Sequence, residues 1–124
     1  MLMMPMRLLL IIAFLVTAPA HAQNAILVQE SPLAGFQFHH GKKLWDELKV
    51  GDALTLAREP ANPHDANAVS VYWNSQRLGY IPRRENSDVA RQMDRGALVK
   101  ARIVKLTMSR NPWQRIAFEV YVDL

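Results

Sequence analysis

Beyond residue 24 the hydrophobic positions recur mainly at every second residue, in short runs broken by turn-forming residues. That is the pattern of strands with one buried face. Ala25–Val28 predicts a first strand, stopped at Ser31-Pro32, and Gly35–Phe38 a second short extended piece. Lys43–Leu48 places Leu44, Trp45 and Leu48 on one helical face, enough for one or two turns. Val50-Gly51-Asp52 marks a turn before a strand at Leu54–Arg58. Val69, Val71 and Trp73 then alternate with Ser70 and Tyr72, Asn74-Ser75 turns the chain, and Arg77–Ile81 returns as partner. Pro82 ends that strand because it has no N–H for a ladder.

A helix follows, capped by Asn86 or Ser87 and running to about Arg95, with Val89 and Met93 four apart and Gly96 at its left-handed end. Two longer strands finish the chain. In the first, Val99, Ala101 and Ile103 share a face, but from Val104 the apolar parity flips to Val104, Leu106 and Met108. A one-residue slip of that kind predicts a bulge near Ile103-Val104. Arg110-Asn111-Pro112 turns the hairpin, and Ile116, Phe118, Val120 and Val122 alternate cleanly in the last strand. The expected fold is mainly β, a small antiparallel β-barrel with one or two short helices. Closing the sheet removes exposed edges in a domain of this size.

The first 22 residues break the pattern. Arg7, the nine-residue apolar run Leu8–Val16 and the small-x-small triplet Ala20-His21-Ala22 read as a secretory signal peptide. Nine residues are too few to cross a ~30 Å hydrocarbon core. The division is therefore a leader over 1–22 and a β-barrel domain over 23–124, exported to a bacterial periplasm or secreted, with no transmembrane segment after cleavage. It also corrects the composition of the 124-residue chain, which is 50 % apolar and carries +4. The leader holds much of the apolar excess, and the mature part keeps about 44 % apolar residues and a charge of +3. No cysteine is present, which excludes a disulfide scaffold, a zinc ribbon and a cysteine nucleophile.

Arg58-Glu59-Pro60-Ala61-Asn62-Pro63-His64-Asp65-Ala66-Asn67-Ala68-Val69 separates two strands. Pro60 and Pro63 keep it out of the ladder, while Asn62 and Asp65 can bond the following backbone in Asx-turns. From composition this is a rigid polar loop, readable as a structural turn or as a site. Together with Val-Ser-Val-Tyr-Trp at 69–73 and Leu78-Gly79-Tyr80-Ile81-Pro82-Arg83, the string closely resembles the HIRAN domain family. The resemblance covers about residues 25–122. It implies an OB-like or SH3-like barrel and a module that captures single-stranded DNA at its free 3′ end, attached in larger relatives to enzymatic domains absent here.

By that resemblance the nucleic-acid-binding residues are Gln37, Phe38, Asn62, His64, Asp65 and Arg83. Gln37 and Phe38 stand where the family has an Arg-Tyr pair, so the stacking face is kept and the guanidinium is not. His64 replaces a tyrosine, and Asp65 matches a carboxylate that accepts from the terminal hydroxyl. The chain's own residues add a basic second half, with ten Lys/Arg against three acidic residues between Arg77 and Arg115. Trp113, between Arg110 and Arg115 at a polar hairpin tip, is a candidate stacking residue, whereas Trp45 and Trp73 lie on apolar faces and read as core. His39, His40 and His64 with Asp65 make a poor metal site, because adjacent histidines on a strand point to opposite faces.

No G-x-S-x-G, H-E-x-x-H or phosphate-cradling glycine loop occurs. The expectation is a non-catalytic binding module without metal or cofactor, its partner single-stranded nucleic acid. The alternative is an envelope binding or structural module whose pocket serves another ligand or protein partner.

Overall fold

The computed structural model describes residues 24–124, so the leader predicted over Met1–Ala22 lies outside the described residues. Six strands form one antiparallel sheet: β1 (Ala25–Pro32), β2 (Ala53–Arg58), β3 (Val69–Trp73), β4 (Gln76–Tyr80), β5 (Leu98–Leu106) and β6 (Ile116–Asp123). Their spatial order is β1-β6-β5-β2-β3-β4. Two short helices, α1 (Gly41–Leu44) and α2 (Ser87–Asp94), and four single 3-10 turns complete the described residues. No helix among the described residues is long and apolar enough to cross a membrane.

Local chemistry explains most of these elements. Asn74 and Ser75 both take positive φ, 44° and 68°, the condition for a two-residue hairpin whose twist matches its strands. α2 ends where Gly96 (φ +85°) lets its own N–H reach Met93 O and that of Ala97 reach Gln92 O, each at 3.0 Å, the paired bonds of a Schellman end. The register of β5 on β6 shifts between Ile103 and Lys105, where the apolar parity flips. Before the shift Ile103 opposes Phe118, and both are buried. After it Lys105 opposes Ala117 on the outer face. Inside the curved sheet Leu33, Phe36, Val69, Val71, Leu78, Val89, Ile103, Ile116, Phe118 and Val120 are all nearly fully buried, each contributing roughly 1.5–3 kcal/mol. Trp45 packs edge-on to Phe36 at 5.8 Å, and Trp73 donates its indole N–H to Asp52 at 2.9 Å.

Two expectations need correction. Gly35–Phe38 is not extended: Gly35 adopts φ +79° and Phe36–Phe38 form a 3-10 turn, closed by the Phe38 N–H on Gly35 O at 3.0 Å. The barrel is not closed either. β1 and β4 remain the outer strands; just past β1, Ala34 exchanges two 2.9 Å hydrogen bonds with Tyr80, and farther on the His40 N–H bonds Arg77 O at 3.1 Å. The same turn at Gly35 lifts the chain away after the Ala34 bridge, so no ladder can develop. The helical segment expected at Lys43–Leu48 starts at Gly41 and tightens to a 3-10 turn over Trp45–Glu47.

Candidate nucleic-acid interface

The loop between β2 and β3 is built from three consecutive turns. Asn62 N–H bonds Glu59 O, Asp65 N–H bonds Asn62 O and Ala68 N–H bonds Asp65 O, at 3.0, 3.3 and 3.1 Å. Two side chains reinforce them as Asx-turns: Asn62 Oδ1 accepts from His64 N–H and Asp65 Oδ1 from Asn67 N–H, both at 2.9 Å. Arg58 clamps the neck of the loop. It donates to Ala68 O at 2.9 Å and forms a two-pronged ion pair with Asp94 of α2, at 2.9 and 3.2 Å.

Held this way, the loop forms one wall of a cavity of about 400 Å³. Asn62, His64, Asp65 and Ala68 line it from the loop, Tyr80 and Ile81 from the end of β4, and Arg83 and Asn86 from the segment before α2. Ala34 and Trp113 close the remaining side. The structure thus brings Asn62, His64, Asp65 and Arg83 together. Gln37 and Phe38 do not line the cavity; they lie exposed on the neighbouring 3-10 turn, with Phe38 77 % exposed. That turn packs against the Pro112–Gln114 turn, which carries the 46 % exposed Trp113.

Asn86 takes the N-cap position of α2, one of the two expected, but its side chain has another role. Its side chain makes no cap bond to α2; instead Nδ2, on a residue only 2 % exposed, donates to Asp65 Oδ2 at 2.8 Å. Burial pushes the Asp65 carboxyl up, but the bonds from Asn67 and Asn86 and the charges of Arg83 and Arg58 prevail and hold it below the ordinary aspartate range. Asp65 is therefore an ionised acceptor at neutral pH, with lone pairs remaining on both oxygens.

A second network backs the cavity. Glu59 accepts from Asn62 Nδ2 at 3.1 Å, from Tyr80 Oη at 3.0 Å and from Arg77 at 2.9 Å. Arg77 also donates to the hydroxyls of Tyr72 and Tyr80, at 3.0 and 3.1 Å. Burial pushes Glu59 up; the bonds from Asn62, Tyr80 and Ser70 and the Arg77 charge more than offset it. His39 stacks obliquely on Tyr80 at 5.8 Å. Burial, then Arg77 and His40, lower its pKa from the usual 6.5. Among the described residues no group of three His, Asp or Glu stands at metal-binding spacing.

These shifts set an acid profile. Glu59 and Asp65 titrate lower folded than unfolded, so their stabilisation is complete above the ordinary carboxylate range and lost as pH falls through their folded values. His39, favoured neutral by the fold, begins to lose its contribution as the unfolded imidazole charges near pH 6.5. Thermal melts are expected to show a shallow decline below about pH 6.5 and a steeper one below about pH 4. His39→Asn removes the first and Glu59→Gln blunts the second. Stability that rose on acidification would contradict the assignment.

The basic second half is more neutral than its composition suggests. Arg77 is paired with Glu59, Arg91 with Asp88, Lys100 with Asp123 and Arg102 with Glu119. Among the described residues, Arg83, Arg84, Arg95, Lys105, Arg110 and Arg115 make no ion pair. Arg83 lines the cavity and Lys105 a neighbouring one, while Arg115 lies 5.1 Å over the Phe36 ring. The chemistry gathered in the cavity is an ionised hydroxyl acceptor, a guanidinium and aromatic faces. That set can accept from a hydroxyl, pair an anion and stack a planar ring.

Comparison with known proteins bears on the same segment. A family model described as the HIRAN domain matches residues 26–124. The chain is 31 % identical over 108 residues to an Arabidopsis thaliana SWI/SNF-related matrix-associated actin-dependent regulator of chromatin subfamily A member 3-like 1, covering 84 % of this chain and 12 % of the relative. It is 33 % identical over 78 residues to a Fanconi-associated nuclease 1 homolog of Oryza sativa subsp. japonica, covering 60 % of this chain and 8 % of the relative. The chain thus spans only about a tenth of the length of these relatives. Its structure is similar to that of a Lactobacillus plantarum structural-genomics protein, with a TM-score of 0.70 and 26 % identity over 82 % of this chain and 97 % of that one. It also shares its fold with the HIRAN domain of human HLTF, with a TM-score of 0.62 and 19 % identity over 79 % and 78 % of the two chains.

Proposed function

This chain belongs to the HIRAN domain family, and from that premise we propose that it is a non-catalytic DNA-binding module that takes the 3′ end of a single strand into the Asp65–Arg83–Trp113 cavity. The carrying observation is the ionised Asp65 carboxylate facing the same space as Arg83. A terminal sugar hydroxyl donates to Asp65, whereas a terminal phosphate in that position meets a like charge. Arg83 pairs the phosphate one step back. Trp113 and His64 offer stacking faces, each base–aromatic contact worth about 1–3 kcal/mol, and Gln37 and Phe38 serve the base from the adjacent turn. The relatives' names support DNA as the polymer, one being a regulator of chromatin and the other a nuclease.

We also infer export, from the leader pattern of Met1–Ala22. The strand it meets is then extracytoplasmic, in the periplasm or outside the cell. Fluorescence anisotropy with matched short oligonucleotides ending in 3′-OH or 3′-phosphate tests the reading on the purified mature chain. Tighter binding of the 3′-OH end, weakening with salt, is expected. Equal affinity for both ends, or none at low salt, would leave the cavity to another envelope ligand or a protein partner.

A further inference from the structure

β1 is an outer strand of the sheet, and its two halves present different edges. The second half is guarded. Gln29 donates its amide to Glu85 O at 2.8 Å, which holds the segment before α2 against the strand. Glu30 adds a charge and Pro32 offers no N–H. The first half, Asn24–Leu27, carries no charge, proline or glycine. The Leu124 N–H bonds Asn24 O at 2.9 Å, and Ile26 falls opposite Val122. Antiparallel pairing alternates, so Asn24 and Ile26 direct their N–H and C=O groups to β6, while Ala25 and Leu27 turn theirs to the free edge. Ile26 and Leu27 are 54 % and 59 % exposed. On the inner face Val99, Val122 and Ile26 stand side by side across β5, β6 and β1, an apolar row that stops at the edge with Ile26 uncovered.

We propose that this edge is a self-docking surface, closed by the first half of β1 from a second copy of the chain in antiparallel, two-fold pairing centred on Ile26. The spacing selects this occupant. The outward groups sit two residues apart, so a two-fold axis at Ile26 sets Ala25 opposite Leu27 of the partner subunit and Leu27 opposite Ala25 of the partner subunit. Every outward N–H of the pair then meets an outward C=O. Ile26 meets its own copy, which continues the apolar row into the second sheet. No like charges are brought together, because the stretch has none. The register shift after Leu27 and the Gln29–Glu85 bond confine the contact to these few residues, and the two-fold closes it as a reversible dimer rather than a filament. β5 runs from this end of the sheet at Leu98 to Leu106, about 26 Å away, where the hairpin carrying Trp113 begins. Both copies therefore keep their cavities open, whatever ligand those take.

Sedimentation velocity of the mature chain over a hundredfold concentration range is the experiment. The average mass is expected to climb from the monomer towards twice that value. Ile26→Lys puts a charge on the edge, and Ala25→Pro deletes an outward N–H without touching the bonds to β6. Both are expected to stay monomeric throughout, with melting temperatures in dilute solution unchanged. The chain has no cysteine, so single cysteines give a second reading. Ile26→Cys, with α-carbons about 4.5 Å apart across the axis, is expected to oxidise to a disulfide dimer. Leu27→Cys, about 9 Å from its copy, is not. A mass that stays monomeric at every concentration would overturn the proposal, whatever the cysteine variants trap. Association that survives Ile26→Lys and Ala25→Pro, or a disulfide formed as readily by Leu27→Cys as by Ile26→Cys, would put the contact elsewhere and overturn it too.

Discussion

Asp65→Ala is expected to lower stability by about 2–3 kcal/mol and to weaken binding of a 3′-OH strand at least about tenfold. The stability loss has a specific origin. Asp65 accepts from the Asn67 N–H at 2.9 Å and from Nδ2 of buried Asn86 at 2.8 Å. Removing the carboxylate leaves the Asn86 amide desolvated without that partner, which costs far more than an exposed bond. Asp65→Asn separates the two roles. Its amide oxygen can still accept from the Asn67 N–H and hold the turn, but the charge is gone and the amide nitrogen that replaces Oδ2 is a donor facing the Asn86 donor. Stability should therefore recover only in part, by about half of the Asp65→Ala loss, while discrimination against a 3′-phosphate relaxes. Melting curves paired with 3′-OH and 3′-phosphate titrations check both variants. If Asp65→Asn kept the full preference for the hydroxyl, charge at Asp65 would not be the selector.

Gly79→Val is the second large effect, with a loss of about 3 kcal/mol and a melting temperature lower by roughly 12–20 °C. A β-carbon at residue 79 falls inside the carbonyl oxygen of Ala34 and stands 3.2 Å from Leu33 Cγ. That oxygen accepts from Tyr80 N–H in the paired bridge that ties the segment after β1 to β4. The obstacle is backbone, so no rotamer change relieves it. Ala34 and Tyr80 also line the cavity, and ligand affinity should fall with stability. Gly51→Ala is the control. Gly51 has φ +97° with no atom within 4 Å of an added β-carbon, so strain alone applies, about 1–2 kcal/mol. Equal losses at the two positions would show that the Ala34 approach contributes nothing.

Features set by neighbours in the chain were legible in the sequence. The Asn74-Ser75 hairpin, the Asx-turns of Asn62 and Asp65, the Gly96 helix end and the parity flip at Ile103-Val104 each depend on a few adjacent residues. What escaped depends on long-range contact. Asn86 has a good capping identity, and nothing nearby in sequence indicates that its amide reaches Asp65 instead. The Arg77–Glu59–Tyr80 network joins β4 to the loop before β3, and only the strand pairing brings them together. Gly35-Phe36-Gln37-Phe38 alternates like a strand, but positive φ at Gly35 turns it into a 3-10 turn and keeps the sheet open. The motif pointed to the loop and Arg83, which line one cavity. The position of Gln37 and Phe38 outside the cavity follows from that same turn.

The central claim is that a strand end enters the cavity between the Asn62–Asp65 loop, Arg83 and Trp113. It is tested most directly by a ¹H–¹⁵N correlation titration of the mature chain with a short 3′-OH oligonucleotide. Shifts that saturate together at the amides of Asn62, His64, Asp65 and Arg83 and at the Trp113 indole are expected. Shifts confined to the outer face around Lys100, Arg102 and Tyr121, or no shifts at saturating strand, would contradict it.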